Sequence, residues 1–199
     1  MDFQSVNGHL VLYTIGHSTR SIQEFISLLI ENKIDFLADV RQFPFSKRYT
    51  HFNKELLKKV LEEHHIHYEH FVTLGGRRPA LKNSKNVVWK NPSFRGYADY
   101  METDAFKEGI ADLLKVTEGY SAAIMCSEAV WWRCHRSMIS DYLKSIGIEV
   151  SHILSHGKIE PHPYTSPAKI INGKLSYEDE GLFGKEILIQ NFQNSQKVP

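Results

Sequence analysis

The chain has 199 residues, 42% of them apolar and 24% charged, which is globular composition. Lys plus Arg number 24 and Asp plus Glu 23, a net charge of +1. That balance excludes a globally basic nucleic-acid binder and an acidic tail protein, and leaves any electrostatic steering to local patches.

Residues 10–15 (LVLYTI) read as a short buried strand ended by Gly16. Ser21 and Glu24 have capping-box spacing. Ile22, Phe25, Ile26 and Leu29 then follow at the period of a helix face. Residues 35–40 (DFLADV) form the next strand, so the first 40 residues predict a βαβ unit with parallel strands. The loop 42–52 carries Pro44 and four aromatics, after which Asn53 caps a helix bearing Leu57, Val60, Leu61 and His64. A strand-like stretch, 66–74, ends in Gly75-Gly76. A helix over about 102–116 aligns Phe106, Ile110, Leu113 and Leu114. Residues 121–126 (SAAIMC) predict a central strand, 133–146 a helix closed by Gly147, and 148–154 a further strand. Asn172-Gly173 marks a hairpin between AKII and KLSY.

The expected fold is therefore α/β, an open, mostly parallel sheet with helices on both faces plus a small C-terminal hairpin. One domain is expected over 1–185, with 186–199 a polar, fraying tail. Two cysteines, Cys126 and Cys134, make no disulfide framework. The start lacks the basic and apolar regions of a signal peptide, and no apolar run reaches 18 residues, so the expectation is a cytoplasmic protein.

In an open parallel sheet, ligands bind beyond the carboxyl ends of the strands. There the sequence places His17 and Ser18, then Asp39 and Arg41, then Cys126, Ser127 and Glu128, and near the end of 148–154 His152. The apolar stripe of the 133–146 helix is Met138, Ile139, Tyr142, Leu143 and Ile146; extended backwards it turns His135 toward the sheet. Cys134 and Arg136 then stand in the first turn, where free N–H groups favour an anion or thiolate.

Four blocks, TIGHS at 14–18, DVRQFPFS at 39–46, LGG at 74–76 and CSEAVWWRCHR at 126–136, resemble the signature of the domain of unknown function 488 family over about residues 11–165. The resemblance implies a soluble prokaryotic α/β protein. It implies Cys126, Glu128, Cys134, His135 and Arg136 as the core motif, with His17, Asp39 and Arg41 as further motif positions. It implies no reaction.

The residues themselves leave several chemistries open. Cys126, Cys134 and His135 suit a metal, Zn or Fe, although a close C-x₂₋₄-C pair is absent. Alternatively Cys126 is a nucleophile with His135, His17 or His152 as its base. Cys126 and Arg133, seven apart, resemble the anion-cradling cysteine loops of tyrosine phosphatases and rhodaneses, where Glu128, Trp131 and Trp132 would be awkward. A reversible Cys126–Cys134 disulfide is a further reading, and two small core residues are the plain one.

Glu128 reads as a general acid/base or metal ligand, or as the salt-bridge partner of Arg41 or Arg136. His17 reads as functional or as a loop anchor. Asp39 either caps its loop or orients a histidine. Arg41 and Arg136, with Ser18, Arg77 and Arg78, are the expected anion contacts. The run 75–98 holds Arg77, Arg78, Lys82, Lys85, Lys90 and Arg95 with Trp89, Phe94 and Tyr97 and no acid. It suits a nucleotide or single-stranded nucleic acid through 77–95, or a solvated loop. His64, His65, His67 and His70 read as surface residues. The expectation is an enzyme with a Cys/His/Glu site acting on an anionic, nucleotide-like substrate. Its rival is a non-catalytic nucleotide or nucleic-acid binding module whose metal or cysteines are structural.

Overall fold

A computed structural model describes residues 11–179. The elements are β1 (Val11–Gly16), α1 (Ile22–Glu31), β2 (Phe36–Asp39), α2 (Lys54–Glu63), β3 (His67–His70), α3 (Pro92–Met101), α4 (Asp104–Val116), β4 (Ala122–Cys126), α5 (Arg136–Ser145), β5 (Glu149–Ser155), β6 (Lys158–Pro161), β7 (Lys169–Ile171) and β8 (Lys174–Ser176). The main sheet has the order β3-β2-β4-β1-β5-β6. β1 to β5 are mutually parallel and β6 runs antiparallel to β5. This is the open, mostly parallel α/β sheet that the alternating pattern predicts.

Side chains on a strand alternate between faces, and the two halves of the core follow that period. Ile15, Leu37, Ala123, Met125 and Ile153 meet α1 and α2 through Phe25, Leu28, Leu29, Leu57 and Leu61. Leu12, Ala38, Ala122, Ile124 and Cys126 face the other way and meet α3, α4 and α5 through Tyr97, Phe106, Leu113, Met138, Ile139 and Leu143. Cys126 thus belongs to the α5 side by register. From β1 the chain crosses to β2 over the α1 side; from β4 it crosses to β5 over the α5 side. Because β1 and β4 are neighbours whose connections leave in opposite directions, a crevice opens between Gly16 and Cys126, a topological switch point.

Local sequence explains the ends. Ser21 accepts the Glu24 amide at 3.1 Å as α1 begins. Asn172 and Gly173 take φ of +50° and +75°, the paired positive values of a tight hairpin turn. That hairpin forms its own two-stranded sheet.

Three expectations change. The run 75–98 is not one long loop: Asn91 caps α3, accepting the Ser93 amide at 2.9 Å with Pro92 at the first turn. The stretch 66–74 pairs as a strand only over His67–His70 and then turns through a 3-10 segment, Val72–Leu74. The helix expected from 133 starts at Arg136, after a 3-10 turn at Trp131–Arg133 and an extended Cys134, leaving His135 as its N-cap. The tail call over 186–199 lies outside the described residues.

Candidate active site at the switch point

The crevice opens into a cavity of about 800 Å³ between the loops that follow β1, β2 and β4. At its floor stand Cys126, Cys134 and His135, brought together by three local causes. Register turns Cys126 to the α5 side. The 3-10 turn returns the chain so that the extended Cys134 lies beside it. The N-cap position then swings His135 over both sulfurs. The two Sγ atoms and His135 Nδ1 lie within 4.8 Å of one another. Nδ1 is 3.9 Å from Cys126 Sγ and 3.7 Å from Cys134 Sγ.

The ring is held from behind. His135 Nε2 donates to the Val40 carbonyl at 3.0 Å, so a neutral ring presents its Nδ1 lone pair to the sulfurs. Tyr97 meets the imidazole edge-on at 4.9 Å. Gly76 closes over it, where a Cβ would come within 2.9 Å of Nδ1. Both thiols are buried and free. Cys126 is held below the usual thiol range, first by its hydrogen bond with Cys134, against burial, and then by the neighbouring His135 and Arg136. Cys134 is pushed well up, by burial first and then by its ionised neighbour.

The β2 end supplies a locked set of charges. Asp39, fully buried, accepts from Arg41 Nε at 2.9 Å, from Arg41 Nη2 at 2.5 Å and from the Tyr68 hydroxyl at 2.7 Å. Burial disfavours the Arg41 charge, but these bonds more than offset it and raise its pKa. Arg41 Nη1 lies 3.4 Å from His17 Nε2, while His17 Nδ1 donates to the Ser18 carbonyl at 3.1 Å. Burial first, and Arg41 second, lower the His17 pKa to about 4, so this imidazole is neutral at pH 7. It is stacked on Phe52 at 4.1 Å.

The predicted site residues separate on this map. Cys126, Cys134, His135, His17, Ser18, Arg41, Arg77 and Glu128 line the cavity. Asp39 does not; it orients Arg41. Arg136, read as an anion contact, lies behind the Cys126–Val130 loop at 1% exposure and donates to the carbonyls of Glu128 and Ala129 at 2.8 and 2.9 Å. Its length lets it reach back under the loop. Glu128 forms no ion pair with Arg41 or Arg136; Arg41 takes Asp39 instead. Arg78 also turns away, bonded to the carbonyls of Gly75 and Thr73 and stacked over Tyr100 at 3.8 Å.

His152 is sealed in the sheet, because β5 runs on to Ser155 and pairs His152 with Thr14. In the 77–95 segment, Trp89 stacks on Phe94 at 4.9 Å and both pack against the core. Basic and aromatic residues there do not form an exposed stacking strip; Arg77, Ser93 and Phe94 alone reach the cavity. Sequence reasoning missed Phe43, Phe45 and Tyr49, which line the mouth, with Phe43 and Phe45 more than 60% exposed. The signal was present as an aromatic-rich loop at a strand end. Arg133 also lines the cavity, and neither it nor Arg77 forms an ion pair with a described residue. Among the described residues no helix is long and apolar enough to cross a membrane.

An α/β sheet with a thiol–imidazole cluster at its switch point, walled by arginines and aromatics, defines the class. A family model for Domain of unknown function DUF488 matches residues 21–143, and the chain belongs to that family. The match holds the 39–46, 74–76 and 126–136 blocks and begins just after 14–18. No curated protein and no solved structure matches it.

Proposed function

We propose that this chain is an enzyme acting on an anionic, nucleotide-like substrate, and that Cys126, Cys134 and His135 hold a divalent metal, zinc or ferrous iron, at its centre. The observation that carries the reading is the convergence of two sulfurs and an imidazole nitrogen whose opposite N–H is tied to the Val40 carbonyl. A carbonyl behind a ligating histidine fixes the tautomer and the ring orientation that metal binding needs. The spacing agrees. With Zn–S about 2.3 Å and Zn–N about 2.0 Å, tetrahedral zinc sets a thiolate and an imidazole roughly 3.5 Å apart. Here the separations are 3.9 and 3.7 Å.

Structural zinc sites are closed by four protein ligands, whereas catalytic ones keep a position open. Three donors at the floor of a cavity favour the second arrangement. A bound metal would supply Lewis acidity toward a substrate oxygen or water. The chain's own residues do the rest. Glu128, exposed on the loop beside Cys126, carries protons. Arg77 and Arg133 attract the anion with charge no described carboxylate has taken. Phe43 and Phe45 offer flat apolar faces to a heteroaromatic ring.

The test is metal content of the purified protein and its titration with zinc and with cobalt(II), for wild type, Cys134→Ser and His135→Ala. One metal per chain in wild type, with a thiolate-to-cobalt absorption band absent from both variants, is expected. Wild-type protein that binds neither ion would overturn the metal reading and leave Cys126 and His135 as a thiol–imidazole pair.

A further inference from the structure

The loop that follows β4 has an unusual division of its peptide groups. Each carbonyl from Cys126 to Ala129 is taken. The Cys126 carbonyl accepts the His17 amide at 3.0 Å, and the Ser127 carbonyl accepts the Ser18 amide at 2.9 Å. The carbonyls of Glu128 and Ala129 share Arg136 Nη2. The three donors come from the β1 end and from the arginine beneath it. Gly16 makes this fit possible: a Cβ there would lie 1.8 Å from the Glu128 oxygen and 2.9 Å from Arg136 Nη2.

In a planar trans peptide the N–H of a residue points opposite to the carbonyl before it. The amides of Ser127, Glu128, Ala129 and Val130 are therefore directed away from the β1 loop. None of the four donates to any described residue. All four residues line the cavity beside Cys126.

We propose that these four consecutive amides form an oxyanion cradle that takes the phosphate group of the substrate, with Arg136 and Gly16 as the positioning residues that hold its shape. Successive unpaired N–H groups make an anion-binding concavity with no side-chain charge required. Buried Arg136 adds a fixed positive charge behind it; Nε and Nη1 of that guanidinium have no hydrogen-bond partner. Arg133 stands at the far end of the same loop with no ion-pair partner among the described residues.

The cradle also gives Glu128 a definite place. Its carboxylate sits on the loop that would receive the anion, and its charge opposes a bound phosphate. The statement that the anion is substrate rests on the enzyme reading above; the cradle itself does not need the metal.

The probe is inorganic phosphate, titrated calorimetrically into wild type stripped of metal by chelation, with 5′-AMP and a short 5′-phosphorylated single strand as further arms. One saturable phosphate site per chain is expected. Glu128→Gln is expected to tighten it several-fold. Val130→Pro deletes one amide; the φ of −93° there lies about 30° from proline's value, so thermal unfolding beside it checks that the variant folds. Loss of one hydrogen bond to a charged group predicts about tenfold weaker binding by Val130→Pro than by Val130→Ala, which keeps the amide.

Tighter binding of 5′-AMP than of phosphate supports a small nucleotide, and tighter binding of the strand alone supports a nucleic-acid end; the phosphate chemistry is common to both. Absence of saturable binding by both wild type and Glu128→Gln overturns the cradle. So does binding that survives Val130→Pro but disappears in Arg77→Ala. A phosphate site in protein that binds no metal would sink the metal reading and leave the cradle standing; the reverse result would do the opposite.

Discussion

Two histidine clusters lie within this sheet, and only one of them looks like a site. At the switch point, Cys126, Cys134 and His135 face a cavity, and His135 keeps a lone pair toward its neighbours. Between β1, β5 and α5 runs a second chain: Thr14 donates to His152 Nδ1 at 2.6 Å, His152 Nε2 to His162 Nδ1 at 2.9 Å, and His162 Nε2 to Asp141 at 3.0 Å. Asp141 also accepts from Tyr177, from Thr165 Oγ1 and from the Thr165 amide. Trp131 covers it, stacked on His152 at 4.5 Å. Burial first, and His162 next, push the His152 pKa down to about 2. The ring nitrogens of His152 and His162 and both carboxylate oxygens of Asp141 are all hydrogen-bonded within the cluster, which is the signature of a core polar network. Titratable groups alone do not mark a site; unspent donors and acceptors with access do.

The contrast can be broken from the sealed side first. Asp141→Ala leaves His162, Thr165 and Tyr177 without their acceptor in a dry core. A loss of about 3–5 kcal/mol is expected, the scale of leaving several buried donors without their acceptor. Denaturant unfolding measures it, and phosphate affinity of the folded fraction should not change. A loss below about 1 kcal/mol would show that the network is hydrated rather than sealed.

A second, smaller effect comes from pH. A histidine whose folded pKa lies below its unfolded value binds protons preferentially when unfolded, so stability is complete above about 6.5 and falls as pH drops toward the folded pKa. For His17, with a folded value of about 4, the window is pH 6.5 to 4. Between pH 6.5 and 5 it alone removes about 2 kcal/mol. His17→Gln, which cannot titrate, should flatten that part of the profile; an unchanged slope would mean that His17 is hydrated in the folded protein.

The smallest effect is expected on the open side. His135→Ala in metal-free protein gives up one hydrogen bond to the Val40 carbonyl, a cost of about 1 kcal/mol. The same change should abolish metal binding. A site residue that matters little to stability and entirely to ligand is the opposite of Asp141, and thermal unfolding of the two variants side by side displays it.

Much of the fold was legible because period and punctuation agree: the βαβ start, the central 121–126 strand, the Asn-Gly turn and the Ser21 cap all form as read. The floor of the cavity was legible for the same reason, since strand ends place Cys126 and His17 without any knowledge of packing. What was not legible depends on reach and register. Arg136 and Arg78 are long enough to bond carbonyls behind their own loops, so sequence position does not tell where their charge goes. His152 stands opposite Thr14 because β5 continues three residues beyond it. The helix α3 was hidden by charge: its start lies within an acid-free basic run, and Gly96 inside it weakens the helical signal. That glycine is needed where a Cβ would lie 2.1 Å from the Arg78 carbonyl oxygen.

Gly16 has a consequence for how this protein would answer mutagenesis. The recognition groups of the β4 loop belong to the main chain, and truncating Ser127, Ala129 or Val130 removes none of them. Alanine substitutions at Ser127 and Val130 would come back silent and make those positions look idle. A single methyl group added 112 positions earlier in the chain, at Gly16 on β1, would push on the Glu128 carbonyl and disturb the whole row. In a library selected for activity, positions 127, 129 and 130 should therefore drift freely, while a residue that never meets the ligand should admit no substitute.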